Sequence, residues 1–143
     1  LQELCYPFDS DAVMTNARRL RRTLRAQEGG TKIRIAVLGG STTTHIVRTL
    51  ELFLRNRGLD PEFWESEYAQ YWTDAMFENP SLEAFHPDLV FIHTSSRNIK
   101  EFPEVRDSRE LCEHKLEQAY QHFEQMWERI TSVYGCPIIQ NNF

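Results

Sequence analysis

Ile33-Arg34-Ile35-Ala36-Val37-Leu38-Gly39-Gly40-Ser41-Thr42-Thr43-Thr44 is the stretch whose reading decides the fold. Residues 33–38 are a short β-branched run with an apolar majority and glycine on either side, the pattern of a strand buried in a parallel sheet. From Thr42 the period changes. Ile46, Val47, Leu50, Phe53 and Leu54 recur at helical spacing and stop at Gly58, a natural C′ glycine. A strand, a glycine turn and a helix in that order open a doubly wound α/β fold.

Upstream, Asp9 or Ser10 can cap a helix whose buried face is Val13, Ala17, Leu20 and Leu24, with Gly29-Gly30 ending it. Its other face carries Arg18, Arg19, Arg21, Arg22 and Arg25, which reads as a solvated face rather than an anion site. Downstream, residues 61–68 alternate loosely and are expected to form a second strand, whose acidic end, Glu65 and Glu67, faces the strand termini. Residues 71–85 are aromatic and irregular, with short helices expected around the turn Asn79-Pro80-Ser81. Leu89-Val90-Phe91-Ile92-His93 is the clearest strand, followed by a polar loop over 94–100. Asp107 and Glu110 have capping-box spacing. The helix after them puts Leu111, Cys112, Leu116, Ala119, Tyr120, Phe123, Met126, Trp127 and Ile130 on one stripe, on which Cys112 is expected to be buried. Gly135 stops that helix, and residues 137–140 make a fourth strand.

Strands alternating with helices at this interval predict a three-layer, flavodoxin-like α/β domain. It has a parallel sheet of order 2-1-3-4 with helices on both faces. Residues 1–30 form an N-terminal helical segment packing on that domain, which occupies 31–143. The sequence has 143 residues, 41% of them hydrophobic, enough for one core. A net charge of −5 and a pI near 5.5 exclude a dedicated nucleic-acid surface. No apolar run reaches the roughly 20 residues that span a bilayer. Cys5, Cys112 and Cys136 are odd in number and widely spaced, and read as reduced thiols of a cytoplasmic protein. No histidine or cysteine pair has zinc spacing, so neither a metal nor a cofactor is expected. The start at Leu1 and the stop at Phe143, just after an apolar strand, read as a piece excised from a longer chain.

In open parallel sheets ligands bind beyond the carboxyl ends of the strands. Gly39, Gly40, Ser41, Thr42 and Thr43 converge there with Glu67 and with Ser95, Ser96, Arg97 and Asn98, and the fourth strand adds Asn141 and Asn142. Ser41, near a helix N-terminus, suits three jobs: cradling a phosphate or carboxylate, acting as a nucleophile beside backbone oxyanion donors, or simply capping the helix. The lysine of a P-loop and the third glycine of a dinucleotide fingerprint are both missing. His93 is the one histidine that the topology brings toward Ser41, and a strand histidine is more often a hydrogen-bonded core residue than a base. Arg97, if it turns inward, would fork onto an anion.

IAVLGGSTTT resembles the first block of SGNH-type hydrolases, in which a Gly-Asp-Ser turn carries the nucleophilic serine; here Gly40 stands where that family has aspartate. HTSSRNI is similar to the block supplying an oxyanion-hole asparagine, which would be Asn98. With LELFLRNRG, ESEYAQYW, FHPDLVFIHTSSRNI and YGCPIIQNNF, the chain from about Lys32 onward resembles the N-terminal SGNH-like domain of FkbH-like proteins. There it precedes a haloacid-dehalogenase-like domain of subfamily IIIC that loads phosphorylated three-carbon acids onto acyl carriers.

That resemblance implies Ser41 and Asn98 as catalytic residues, with the Gly40 N–H as a second oxyanion donor. It also implies an acyl carrier protein and a downstream haloacid-dehalogenase-like domain as partners. The Asp-x-x-His that completes an SGNH site is missing, as is the nucleophilic aspartate motif of the phosphatase-like domain. Two functions therefore stand side by side. One is a binding or docking domain for a small anionic, acyl or phosphopantetheine group. The other is a serine ester hydrolase or acyltransferase taking its base from beyond Phe143.

Overall fold

The computed structural model describes residues 1–27 and 29–142. Its elements are α1 (Ser10–Arg25), β1 (Thr31–Gly39), α2 (Thr44–Asn56), β2 (Leu59–Glu65), α3 (Tyr71–Met76), α4 (Pro80–Phe85), β3 (Leu89–His93), α5 (Arg109–Tyr134) and β4 (Ile138–Gln140). The four strands form one parallel sheet in the order β2-β1-β3-β4.

β1 is central because it can bury both faces. Five successive residues, Ile35 to Gly39, are buried, and period-2 alternation sends them to opposite sides. Ile35 and Val37 meet Val47 of α2, whereas Ala36 and Leu38 join Val90 and Ile92 of β3 against Phe123, Met126 and Ile130 of α5 and Tyr71 and Ala75 of α3. Helices thus cover both faces, as the sequence predicts. Outside α2 lies α1, whose Leu20 and Leu24 pack on Leu52. Asp9 caps α1, accepting from the N–H groups of Asp11 and Ala12 at 2.9 and 3.1 Å.

Three local expectations need correction. The second strand is Leu59–Glu65 rather than 61–68, because Pro61 sits inside it, opposite Ile33. An edge strand tolerates a proline that lacks a ladder donor. Glu67 consequently falls in the loop beyond. The arginine face of α1 is only partly solvated. Arg21 and Arg25, joined by Arg55 of α2, close on the buried carboxylate of Glu51 at 3.1, 2.7 and 3.1 Å.

The third correction concerns α5. Its N-cap is Ser108, which accepts from the Leu111 N–H, while Asp107 accepts from the Glu104 N–H and Lys115 Nζ. At about 1.5 Å per residue its 26 residues run about 39 Å, longer than the strands beneath it. Only Phe123, Met126 and Ile130 are buried; Leu111, Leu116 and Tyr120 are 42, 58 and 51% exposed, and Cys112 is half-buried. Since α5 leads back from the C-terminal end of β3 to the start of β4, its N-terminal half overhangs the C-terminal edge of the sheet.

Candidate functional site

The pairing of Gly39 with His93 across β1 and β3 sets the two following loops side by side. The Gly40 N–H donates to the His93 carbonyl at 2.8 Å, and Asn98 Nδ2 donates to the Gly40 carbonyl at 3.1 Å. Asn98 is held for this by its own loop. A single 3-10 turn, Ser96–Asn98, brings its Oδ1 back to accept from the Ser95 N–H at 2.8 Å. The fit leaves no room for a side chain at position 40. A Cβ there would lie 2.5 Å from Asn98 Oδ1 and 2.6 Å from its Cγ, distances that real Cβ atoms do not show. Gly39 is constrained likewise, a Cβ meeting Thr43 Cγ2 at 2.5 Å and the Ser41 carbonyl at 2.8 Å.

Ser41 is half-buried three residues ahead of α2, and neither its hydroxyl nor its N–H has a hydrogen-bond partner among the described residues. It does not cap the helix. The N-cap position belongs to Thr43, which is buried and donates its hydroxyl to Glu65 Oε2 at 3.1 Å, tying the start of α2 to the end of β2. Thr42 is exposed. The unpaired N–H groups of the first turn of α2 remain available to an anion.

The other sequence candidates fall at different depths. His93 is half-buried, with its ring tilted at 33° to Phe91 and 6.3 Å from it, and it makes no hydrogen bond to Ser41. Ser95 is half-buried, whereas Ser96, Arg97 and Glu67 are exposed. Arg97 does not fork onto any carboxylate of the described residues. The Gly40 N–H is taken up by the His93 carbonyl, whereas the Ser41 N–H and the second hydrogen of the Asn98 amide have no partner among the described residues.

A polar cluster behind the site escapes sequence reading. Thr94 is buried, donating its N–H to Asn141 Oδ1 at 2.9 Å and accepting at its carbonyl from Asn141 Nδ2 at 2.8 Å. Its hydroxyl receives Gln140 Nε2 at 3.0 Å, and Gln140 Oε1 receives the Trp127 indole N–H at 2.6 Å. This chain locks the loop after β3 to β4 and α5, so the Ser95–Asn98 turn is braced rather than free. The asparagine near the end of the sequence was a signal for it; Thr94 and Trp127 gave none. No group of three or more histidine, cysteine, aspartate or glutamate side chains able to hold a metal occurs among the described residues.

A doubly wound parallel sheet whose C-terminal edge carries a glycine turn tied to an asparagine is the class these features define. No family model matches the chain, and no curated protein matches it. Among solved structures it is similar to the N-terminal part of the protein BF1531 from Bacteroides fragilis, which contains a phosphatase domain and was crystallised with Mg. The TM-score is 0.68 at 21% identity over 88% of this chain, a likeness that shows the fold. The chain spans about a third of that structure's length (32%). Among the described residues no helix is long and apolar enough to cross a membrane.

Proposed function

We propose that this chain is an SGNH-like domain of an FkbH-like protein, and that its cleft binds an acyl or phosphorylated three-carbon group on a carrier for use by a phosphatase-like domain. The observation that carries the reading is the Asn98 amide bound to the Gly40 carbonyl beside a Ser41 that no base touches. Such a site keeps the donors that hold an acyl carbonyl or an anion. It lacks the oriented imidazole that would make the serine a nucleophile. The likeness to a structure containing a phosphatase domain supports the same setting. Three free cysteines fit a cytoplasmic location. In the alternative, an ester hydrolase or acyltransferase, the same Ser41 and Asn98 are joined by a base from beyond Phe143.

Titration with an acyl-phosphopantetheine, followed through backbone amide resonances, tests the binding reading. Saturable shifts are expected at residues 39–44 and 95–98. Asn98→Ala, which removes one donor to the ligand, is expected to weaken binding by about tenfold, the effect of losing one hydrogen bond of about 1.4 kcal/mol. Shifts confined to other parts of the chain, or none, would contradict the proposal.

A further inference from the structure

Charge is divided unevenly along the chain, and the fold turns that division into two opposite surfaces. Residues 12–58 carry ten of the 16 basic side chains and two of the 21 acidic ones, whereas residues 59–143 carry six and sixteen. The first set builds α1 and α2 on one face of the sheet, and the second builds α3, α4 and α5 on the other. On α1 the positive charge gathers in a stripe. At about 100° per residue Arg18, Arg22 and Arg25 fall within about 60° of one another, opposite the buried Leu20 and Leu24. Arg25 reaches Glu51 and Arg19, on the flank, reaches Glu3, each at 2.7 Å, but Arg18 and Arg22 are exposed with no ion-pair partner among the described residues. Like charges four residues apart weaken a helix. Arg48 of α2 lies beside them, its carbonyl accepting from Arg21 at 3.3 Å, and is also exposed and unpaired among the described residues. The carboxylates present, Glu3, Glu51 and Asp60, therefore leave this face positive.

α5 carries the complement. Glu110, Glu113, Glu117, Glu124 and Glu128 also fall within about 60°, on the side away from Met126 and Ile130. Arg109 takes up Glu113 at 2.8 Å, Glu117 has the Gln121 amide at 2.9 Å, and Glu128 has neither an ion pair nor a hydrogen bond among the described residues. Tyr120, 51% exposed, runs along this stripe. A hydrogen bond with Glu124 pushes its phenol up, and the charges of Glu117 and Glu128 add to that. Its ring offers a guanidinium a face to stack on. The spacings agree as well: Arg18 and Arg25 are seven residues apart, like Glu117 and Glu124, and Arg18 and Arg22 are four apart, like Glu124 and Glu128.

We propose that the α1 stripe docks on the α5 stripe of a second copy of this chain, with Arg18 and Arg22 meeting the carboxylates around Tyr120. Within one copy the two stripes lie on opposite sides of the sheet and cannot pair. A membrane surface would need apolar side chains beside the arginines, and Met14 is the one large apolar residue that α1 exposes. A long polyanion would meet the acidic excess of the rest of the chain. The contact is head to tail, so each assembly keeps one free stripe at either end and grows by addition. It uses neither Ser41 nor Asn98, so its failure and that of the proposed function are separable.

Sedimentation velocity of the whole chain tests the contact. At about 0.1 M salt, screening over about 10 Å mutes the net repulsion between copies but not pairs in contact, and the mean mass should rise with concentration. At about 1 M it should fall to that of the monomer. Arg18→Gln/Arg22→Gln and Glu117→Gln/Glu124→Gln, which leave the Glu51 cluster intact, should each be monomeric. Mixed in equal amounts they should form a one-to-one complex and nothing larger, because one intact basic stripe and one intact acidic stripe remain between them. A wild type that is monomeric at the lower salt, association that persists at the higher salt or in either variant, or a mixture that stays monomeric would each overturn the proposal. So would a monomeric wild type retained through Arg18 and Arg22 on anionic lipid vesicles or duplex DNA, since the stripe would then have another occupant.

Discussion

Glu51→Ala is expected to destabilise the domain by about 3 kcal/mol, read from denaturant midpoints at unchanged m-value. Three guanidiniums converge on this one buried carboxylate, and its removal leaves Arg21 and Arg25 between α1 and α2 with no counter-charge and Arg55 with Asp60 alone, at 2.7 Å. Arg25 is 59% exposed and keeps most of its hydration, which holds the figure at the lower end for a broken buried pair. Burial pushes the Glu51 carboxyl up, but hydrogen bonds from Arg25 and Arg55 together outweigh it and leave the group below its ordinary value of 4.5. A carboxyl lowered on folding contributes stability that is fully present above its unfolded value and is lost as pH falls through the folded one. The gap between wild type and Glu51→Gln should therefore be widest near neutral pH and shrink below about pH 4.5. A gap that stays constant to lower pH would contradict the ion-pair account.

Gly40→Ala carries the second large effect, about 2 kcal/mol of destabilisation. The added methyl occupies the space of the Asn98 carboxamide, so either the amide leaves the Gly40 carbonyl or the turn moves. Removing the carboxamide should remove the conflict. In an Asn98→Ala background the same change is expected to cost less than half as much, a coupling that a double-mutant cycle measures. Additivity of the two substitutions would show that the turn and Asn98 do not meet as described. With Asn98 seated on position 40, any side chain there would dislodge the amide that braces the turn.

The sheet was legible because its signals are local. Residues 33–38 and Leu89-Val90-Phe91-Ile92-His93 are apolar runs of strand length bounded by turn residues, and right-handed crossovers leave little freedom in ordering them. β2 was displaced because a proline argues against a strand until the strand is known to lie at an edge, and edge position is a property of the whole sheet. The stripe on α5 was read correctly as a stripe and wrongly as a buried one. Periodicity shows which residues share a face, but the length of the strands beneath decides how much of that face is covered, which is why Leu116 and Cys112 stand partly in solvent.

That the turn carrying Ser41 and the loop carrying Asn98 lie side by side was foreseeable, since they follow adjacent strands. The use of the Gly40 N–H by His93, the service of Thr43 to Glu65 and the isolation of His122 were not, since each depends on which of several possible partners the fold brings within 3 Å or so.

Ser41 sits in a braced turn with free donors and no base bonded to it among the described residues. Fluorophosphonate labelling of the chain, alongside p-nitrophenyl ester hydrolysis, tests it most directly. A serine without an oriented base forgoes the roughly 100- to 10,000-fold that general-base assistance supplies. Wild type is expected to label slowly and substoichiometrically, and to turn over no faster than Ser41→Ala or His93→Ala. Rapid stoichiometric labelling of Ser41 with steady ester turnover, both abolished by His93→Ala, would contradict the account and make His93 the base.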